Sequence, residues 1–264
     1  QSFDVVVFGA TSFVGQIICR YLVETYGVNG ELQWAAAGRN QQKLEGVKKE
    51  LGNRAADLPL ITADAGQPDQ LRQLCEKTQV VLSTVGPYAF YGEPMVKACA
   101  ETGTDYVDLT GEVQWIRAMI QKYENQAQTS GARIVHCCGF DSIPSDLGVH
   151  FVQQQAEGQF GTPCNRIKMR VKAMKGTFSG GTVASMLNIA QEAAKDTELR
   201  KILADPYALC ITNAVSDTRQ PNVTAAEYDD DFDAWLAPFV MGSINTRVVH
   251  RSNCILKGAY GKGF

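Results

Sequence analysis

Several things are missing from this sequence, and each absence removes a class of protein. Its 264 residues contain no apolar run near the ~18 residues a membrane span needs, so no transmembrane segment is expected. The first four residues lead straight into a strand pattern, without the charged and apolar regions of a secretion signal. Basic charge is not in surplus: 25 Lys and Arg face 28 Asp and Glu, a net charge of -3, which argues against a nucleic-acid surface. Histidine is scarce, and His136, His150 and His250 are scattered with no zinc-ligand spacing. The eight cysteines form no CxxC pair, and several fall in apolar patterns where a reduced thiol behaves as a small hydrophobe. The expectation is a reduced, metal-free, cytoplasmic protein with no internal repeat.

What is present is an alternation of strand and helix signals. Phe3–Phe8 is a short β-rich run ending at Gly9, and apolar residues recur at helical spacing from Phe13 to Tyr26. Strands are expected at Leu32–Ala37, Leu60–Thr62, Val80–Ser83, Tyr106–Leu109 and Arg133–His136, with helices between them. Units of this length imply right-handed crossovers and a parallel sheet covered on both faces. The expected fold is therefore α/β, a doubly wound (Rossmann) sheet over residues 1–150. A second, mixed α/β domain is expected over 151–264, with a strand at Arg166–Met174 and a helix at Thr182–Ala194 after Ser179-Gly180-Gly181.

The residues that suggest chemistry lie at the carboxyl ends of the expected strands. Gly9-Ala10-Thr11-Ser12-Phe13-Val14-Gly15 has the glycine spacing of a dinucleotide loop, with Ser12 in the middle glycine's place. Gly9 permits a tight turn, Gly15 lets the helix pack close, and the helix N-terminus offers N–H groups to a pyrophosphate. A strand before and a helix after supply the context this motif requires. At the end of the second strand an NAD site would carry Asp or Glu for the ribose 2′-hydroxyl. Arg39 stands there instead, followed by Asn40, and a guanidinium suits a 2′-phosphate.

Further residues are weighed at the same edge. Asp64 could accept from the adenine amino group or cap the helix that follows. Val85, Gly86 and Pro87 end the fourth strand where the nicotinamide half would lie, and Tyr88 and Tyr91 supply phenols nearby. Either phenol could relay a proton or merely pack. Glu112 suits a helix N-terminus through the dipole. In Gly139-Phe140-Asp141-Ser142-Ile143-Pro144-Ser145-Asp146, capping explains Ser142, Ser145 and Asp146, which leaves Asp141 as the candidate acid.

Taken together, Gly9–Gly15, Ala37-Gly38-Arg39, Val85–Tyr88 with Tyr91–Pro94, Asp108–Glu112 and Gly139–Gly148 resemble the saccharopine dehydrogenase-like oxidoreductases, a group that includes trans-acting enoyl reductases. The likeness covers about residues 3–150, and Ser179-Gly180-Gly181-Thr182 matches the start of the family's second domain. It implies NADP(H) as cofactor, lying along Gly9–Gly15, Arg39–Asn40, Asp64 and Val85–Pro87. It also implies closing strands and a late glycine-rich segment for which this chain has no counterpart, so the second domain is expected to be incomplete here. The resulting expectation is an NADP(H)-dependent oxidoreductase reducing a C=C or C=N bond of a lipid-like or small metabolite, with Tyr91 or water as proton donor. A homodimer is compatible with this. Two alternatives stand beside it: a saccharopine-type reductase of an amino-acid adduct, and an NADP(H)-binding sensor or scaffold without catalysis. The basic residues Arg166, Arg170, Lys172 and Lys175 are expected to form the wet face of a strand, not a carboxylate clamp.

Overall fold

Six short parallel strands form the centre of the first half of the chain, as seen in a computed structural model that describes residues 3–175, 180–211, 218–261 and 263–264. They are β1 (Phe3–Phe8), β2 (Trp34–Gly38), β3 (Leu60–Thr62), β4 (Thr78–Ser83), β5 (Asp105–Asp108) and β6 (Ile134–Val135). The helices between them are α1 (Phe13–Thr25), α2 (Gln41–Glu50), α3 (Pro68–Cys75), the single turn α4 (Tyr88–Tyr91), α5 (Glu93–Thr102) and α6 (Val113–Ser130). The spatial order is β3-β2-β1-β4-β5-β6. Strand order reverses between β1 and β4, and the carboxyl ends of those two strands flank the crevice where such sheets bind ligands.

The strands owe their position to composition. Trp34, Ala35, Ala36, Ala37 and Gly38 are all buried, as a strand covered on both faces requires. Val5↔Trp34 through Phe8↔Ala37 pair on one side of β1, and Val5↔Val80 through Phe8↔Ser83 on the other. Val7, Cys19, Leu22, Val23, Trp34, Ala36 and Leu44 pack as one cluster joining α1 and α2 to the sheet. Each fully buried Val or Leu in it contributes about 1.5–3 kcal/mol. Pro94 lies in the first turn of α5, where its missing N–H removes no helical bond.

The described residues gather into two compact units, 1–138 with 177–191, and 139–176 with 192–264. Most of α8 (Gly180–Lys195) therefore belongs to the same unit as the six-stranded sheet. The second unit contains α7 (Ile143–Phe160), α9 (Thr197–Ala204), α10 (Gly242–Ile255) and an antiparallel pair, β7 (Glu227–Asp229) with β8 (Ala234–Leu236). Val149, Val249 and Tyr260 form its small apolar cluster.

Two expectations fail in this unit. Arg166–Met174 is not a strand: no neighbouring strand pairs with it among the described residues. Its alternating cations reach side chains instead, with Lys168 on Asp229 at 2.8 Å and Asp231 at 2.6 Å, Arg170 on Asp229 at 2.8 Å, and Arg166 on Asp231 at 3.4 Å. Nor are all cysteines reduced. Cys210 and Cys254, 44 positions apart, are joined by a disulfide, a pairing that local spacing does not reveal. Ser179, expected to lead into α8, lies outside the described residues.

Candidate functional site

The glycine loop is held in shape from both sides. Gly9 has φ +93°, and a Cβ there would stand 2.6 Å from Thr84 Oγ1 and 2.8 Å from Val85 Cγ2. At Gly15 a Cβ would fall 2.2 Å from the carbonyl oxygen of Gly9, so only glycine lets α1 begin this close to the loop. Ser12 is the N-cap: its Oγ accepts from Gly15 N at 2.9 Å, and it also meets the Thr84 hydroxyl at 2.9 Å. Thr84 Oγ1 in turn donates to Gly9 O at 2.9 Å. Ser12 therefore fixes the loop through its side chain, while its N–H donates to Gly9 O at 2.8 Å. Phe13 and Val14 occupy the first turn of α1, whose N–H groups a helix leaves without intrahelical partners. A close-approach cradle with free N–H groups at a helix start is what a pyrophosphate requires, and the residues present fit it.

Beside the loop, at the end of β2, Gly38 faces Leu44, whose Cδ2 would stand 3.5 Å from an added Cβ, and Thr11. A Cβ on Gly38 would lie 3.9 Å from Thr11 Oγ1. Arg39 follows, exposed and without a hydrogen bond or ion pair among the described residues. Asn40 caps α2, its Oδ1 accepting from Lys43 N at 2.9 Å, which leaves its amide N–H₂ available. A cavity of about 250 Å³ lined by Thr11, Gln16, Lys43, Gly46, Val47 and Glu50 adjoins this place. Lys43 is a cation that the sequence reading passed over; it lies in the first turn of α2, four positions beyond Arg39. A cavity of about 340 Å³ lined by Arg20, Glu24, Glu50 and Arg54 contains none of the loop residues. Asp64 does not cap α3, whose N-cap is Gln67. Its Oδ1 accepts from Gly66 N at 2.8 Å, closing a tight turn after β3.

At the carboxyl ends of β4 and β5 the polar groups are mostly buried. The Gly86–Pro87 peptide is cis. Tyr88 packs against Trp115, with ring centroids 5.4 Å apart, and its hydroxyl donates to Ser83 O at 3.0 Å. Burial, reinforced by the nearby Asp108 carboxylate, pushes this phenol well above its ordinary range. Tyr88 is thus a packing residue. Tyr91 is 47 % exposed, at the end of α4, and its ring meets Phe90 edge-on. Asp108 accepts from Thr110 N at 3.1 Å and Cys137 N at 3.0 Å, and meets His136 Nδ1 at 2.7 Å. Glu112 occupies the N-cap position of α6 without capping it through its side chain. The dipole reading of Glu112 is therefore replaced by a reach across the sheet edge: its oxygens accept from Tyr88 N and Ala89 N, both at 2.9 Å, and from the Ser185 hydroxyl at 2.7 Å.

Asp141 belongs to the second unit. Its side chain is exposed, and its backbone carbonyl accepts from Asn245 Nδ2 at 2.8 Å. Ser142 is the N-cap of α7 without a side-chain cap bond, and Ser145 Oγ accepts from Asn245 at 3.0 Å, so capping explains less of this segment than its sequence suggests. Burial raises Asp146 above the usual carboxylate range, against a hydrogen bond from Ser252.

The sheet order and the glycine cradle are those of a dinucleotide-binding domain. Residues 5–135 match the family described as Saccharopine dehydrogenase NADP binding domain, and this portion of the chain belongs to that family. A Mycobacterium tuberculosis protein provisionally named a trans-acting enoyl reductase is 42% identical over 270 residues, covering 100% of this chain and 64% of its own length. Trans-acting enoyl reductases of Mycobacterium bovis and Mycobacterium ulcerans are each 40% identical, over 273 and 271 residues, again covering 100% of this chain and 64% of theirs. The chain thus spans just under two thirds of the length of these relatives. Among solved structures, an apo saccharopine dehydrogenase (L-Glu forming) from Saccharomyces cerevisiae is 20% identical, with a TM-score of 0.47 over 58% of this chain and 31% of that one.

Proposed function

We propose that this chain is the NADP(H)-bearing part of an oxidoreductase that reduces a C=C or C=N bond of a small metabolite or a lipid-like substrate. The observation that carries the proposal is the pairing of a glycine cradle with an open arginine, where an NAD site would place a carboxylate. The enoyl reductase names of the mycobacterial relatives favour a C=C bond. In this reading Phe13 and Val14 N–H groups hold the pyrophosphate, while Arg39 and Asn40 hold the 2′-phosphate. Asp64 lies toward the adenine, and Val85, Gly86 and Pro87 line the nicotinamide half. NADPH supplies a hydride when bound. Tyr91, half-exposed at the end of α4, supports a phenol as proton donor better than buried Tyr88 does, and Asp141 is the candidate acid. The division into a cofactor portion near 1–150 and a substrate portion at 151–264, and a cytoplasmic location, belong to the same proposal. Among the described residues no helix is long and apolar enough to cross a membrane.

The ion pairs of Arg166, Lys168 and Arg170 with Asp229 and Asp231 weaken the saccharopine-type alternative, because those cations are already neutralised. The test is incubation with NADPH and a panel of enoyl, imine and keto substrates, following NADPH absorbance. Substrate-dependent oxidation of NADPH by an enoyl or imine compound is expected. Stoichiometric NADPH binding without turnover on any of them would favour a sensor or scaffold instead.

A further inference from the structure

Glu112 is 2 % exposed, and a carboxylate taken out of water at such a depth is tolerated only when its oxygens are hydrogen-bonded. Its backbone serves α6, with Glu112 O accepting from Ile116 N at 3.0 Å and Glu112 N donating to Thr110 Oγ1 at 3.1 Å. Its side chain serves something else. The two oxygens take the N–H groups of Tyr88 and Ala89, the first residues after Pro87, and one of them also takes the Ser185 hydroxyl. α4 is a single turn of four residues, too short to hold its own shape, since a helical nucleus of that length is unfavourable by itself. Glu112 is therefore one of the groups that hold the 85–91 segment, beside the Tyr88 ring on Trp115 and its hydroxyl on Ser83 O. The place of Glu112 depends in part on α8, which returns to this unit about seventy residues later in the chain.

We propose that Glu112 is a positioning residue that sets the 85–91 segment against the nicotinamide half of NADP(H), and that Ser185 on α8 holds Glu112 in place. This rests on the cofactor reading above. It adds that the nicotinamide half alone, and not the adenine half, depends on the Glu112–Ser185 link. The adenine half is bounded by Arg39, Asn40 and Asp64, none of which hydrogen-bonds to Glu112 or Ser185 among the described residues.

Two ligands separate the halves: NADPH, and adenosine 2′,5′-bisphosphate, which keeps the adenine and 2′-phosphate but has no nicotinamide. Glu112→Gln puts an amide N–H₂ against a backbone N–H, and Ser185→Ala removes only the hydroxyl. On the full chain, with folding checked by circular dichroism, calorimetry should show NADPH bound about tenfold more weakly in Glu112→Gln and about threefold more weakly in Ser185→Ala. The emission of bound NADPH should move toward that of the free cofactor, and bisphosphate affinity should stay within about twofold. Equal weakening of both ligands, as general loosening of the fold would give, would overturn the proposal. So would unchanged NADPH affinity and emission in both variants. If Glu112→Gln does not fold, Ser185→Ala decides by the same criteria. Failure of the unaltered chain to bind NADPH would overturn the cofactor reading and this inference with it, whereas normal binding with unaffected variants would overturn only the inference.

Discussion

Arg39 follows the end of β2, exposed and without a hydrogen bond or ion pair among the described residues. A charge-assisted contact with a 2′-phosphate is worth about 1.5–3 kcal/mol, or roughly ten- to a hundredfold in affinity. Arg39→Glu should lose at least that factor for NADPH while leaving the fold intact, because the residue is exposed and makes no hydrogen bond or ion pair among the described residues. Calorimetry on the folded variant checks this, and unchanged affinity would remove Arg39 from the site. Tyr91 makes the contrasting case. If its hydroxyl donates the proton, Tyr91→Phe should slow turnover by about a hundredfold, the low end of general acid catalysis, with NADPH affinity within about twofold. Rates at saturating substrate decide it, and an unaltered rate would leave Tyr91 a surface aromatic.

The loop between β1 and α1 is the element that tolerates least change. A methyl group at Gly15 would overlap the Gly9 carbonyl oxygen at 2.2 Å, and backbone cannot move aside as a side-chain tip can. Gly15→Ala should cost about 1–3 kcal/mol of stability and weaken NADPH binding by at least tenfold, read from a denaturant titration and calorimetry. This element was legible in the sequence because buried parallel strands are written as continuous apolar runs, and the glycines fall directly after the first of them. All six strands of the sheet were legible to within a residue or two at their ends, although β3, β5 and β6 are short and only partly buried. Arg166–Met174 misled because alternation of charged and apolar residues also suits an extended segment whose cations reach Asp229 and Asp231 from elsewhere in the chain. Glu112 was visible as a residue near a helix start. Its actual partners, Tyr88, Ala89 and Ser185, lie 24, 23 and 73 positions away, and no local pattern announces contacts of that range.

For the molecule as a whole, one pH limit comes from the second unit. Burial lowers His250 from 6.5 to about 4, outweighing the opposite pull of Asp205. The folded chain keeps this ring neutral in a range where the unfolded chain protonates it. The stability it contributes is therefore complete above about pH 6.5 and declines as pH falls toward 4. Denaturation midpoints should drop across that window, and His250→Leu should show a smaller drop. An identical pH dependence in the variant would place the effect elsewhere. The Cys210–Cys254 disulfide and the paired cations of this unit could not be read from the sequence, since both join distant segments. The other unit is read through its choice of cofactor. Affinities for NADPH and NADH should be titrated at low and high ionic strength. NADPH should be favoured by roughly ten- to a hundredfold at low salt, through Arg39 and Asn40. Because that contact is exposed, the preference should shrink as salt rises. Equal affinities at low salt would contradict it.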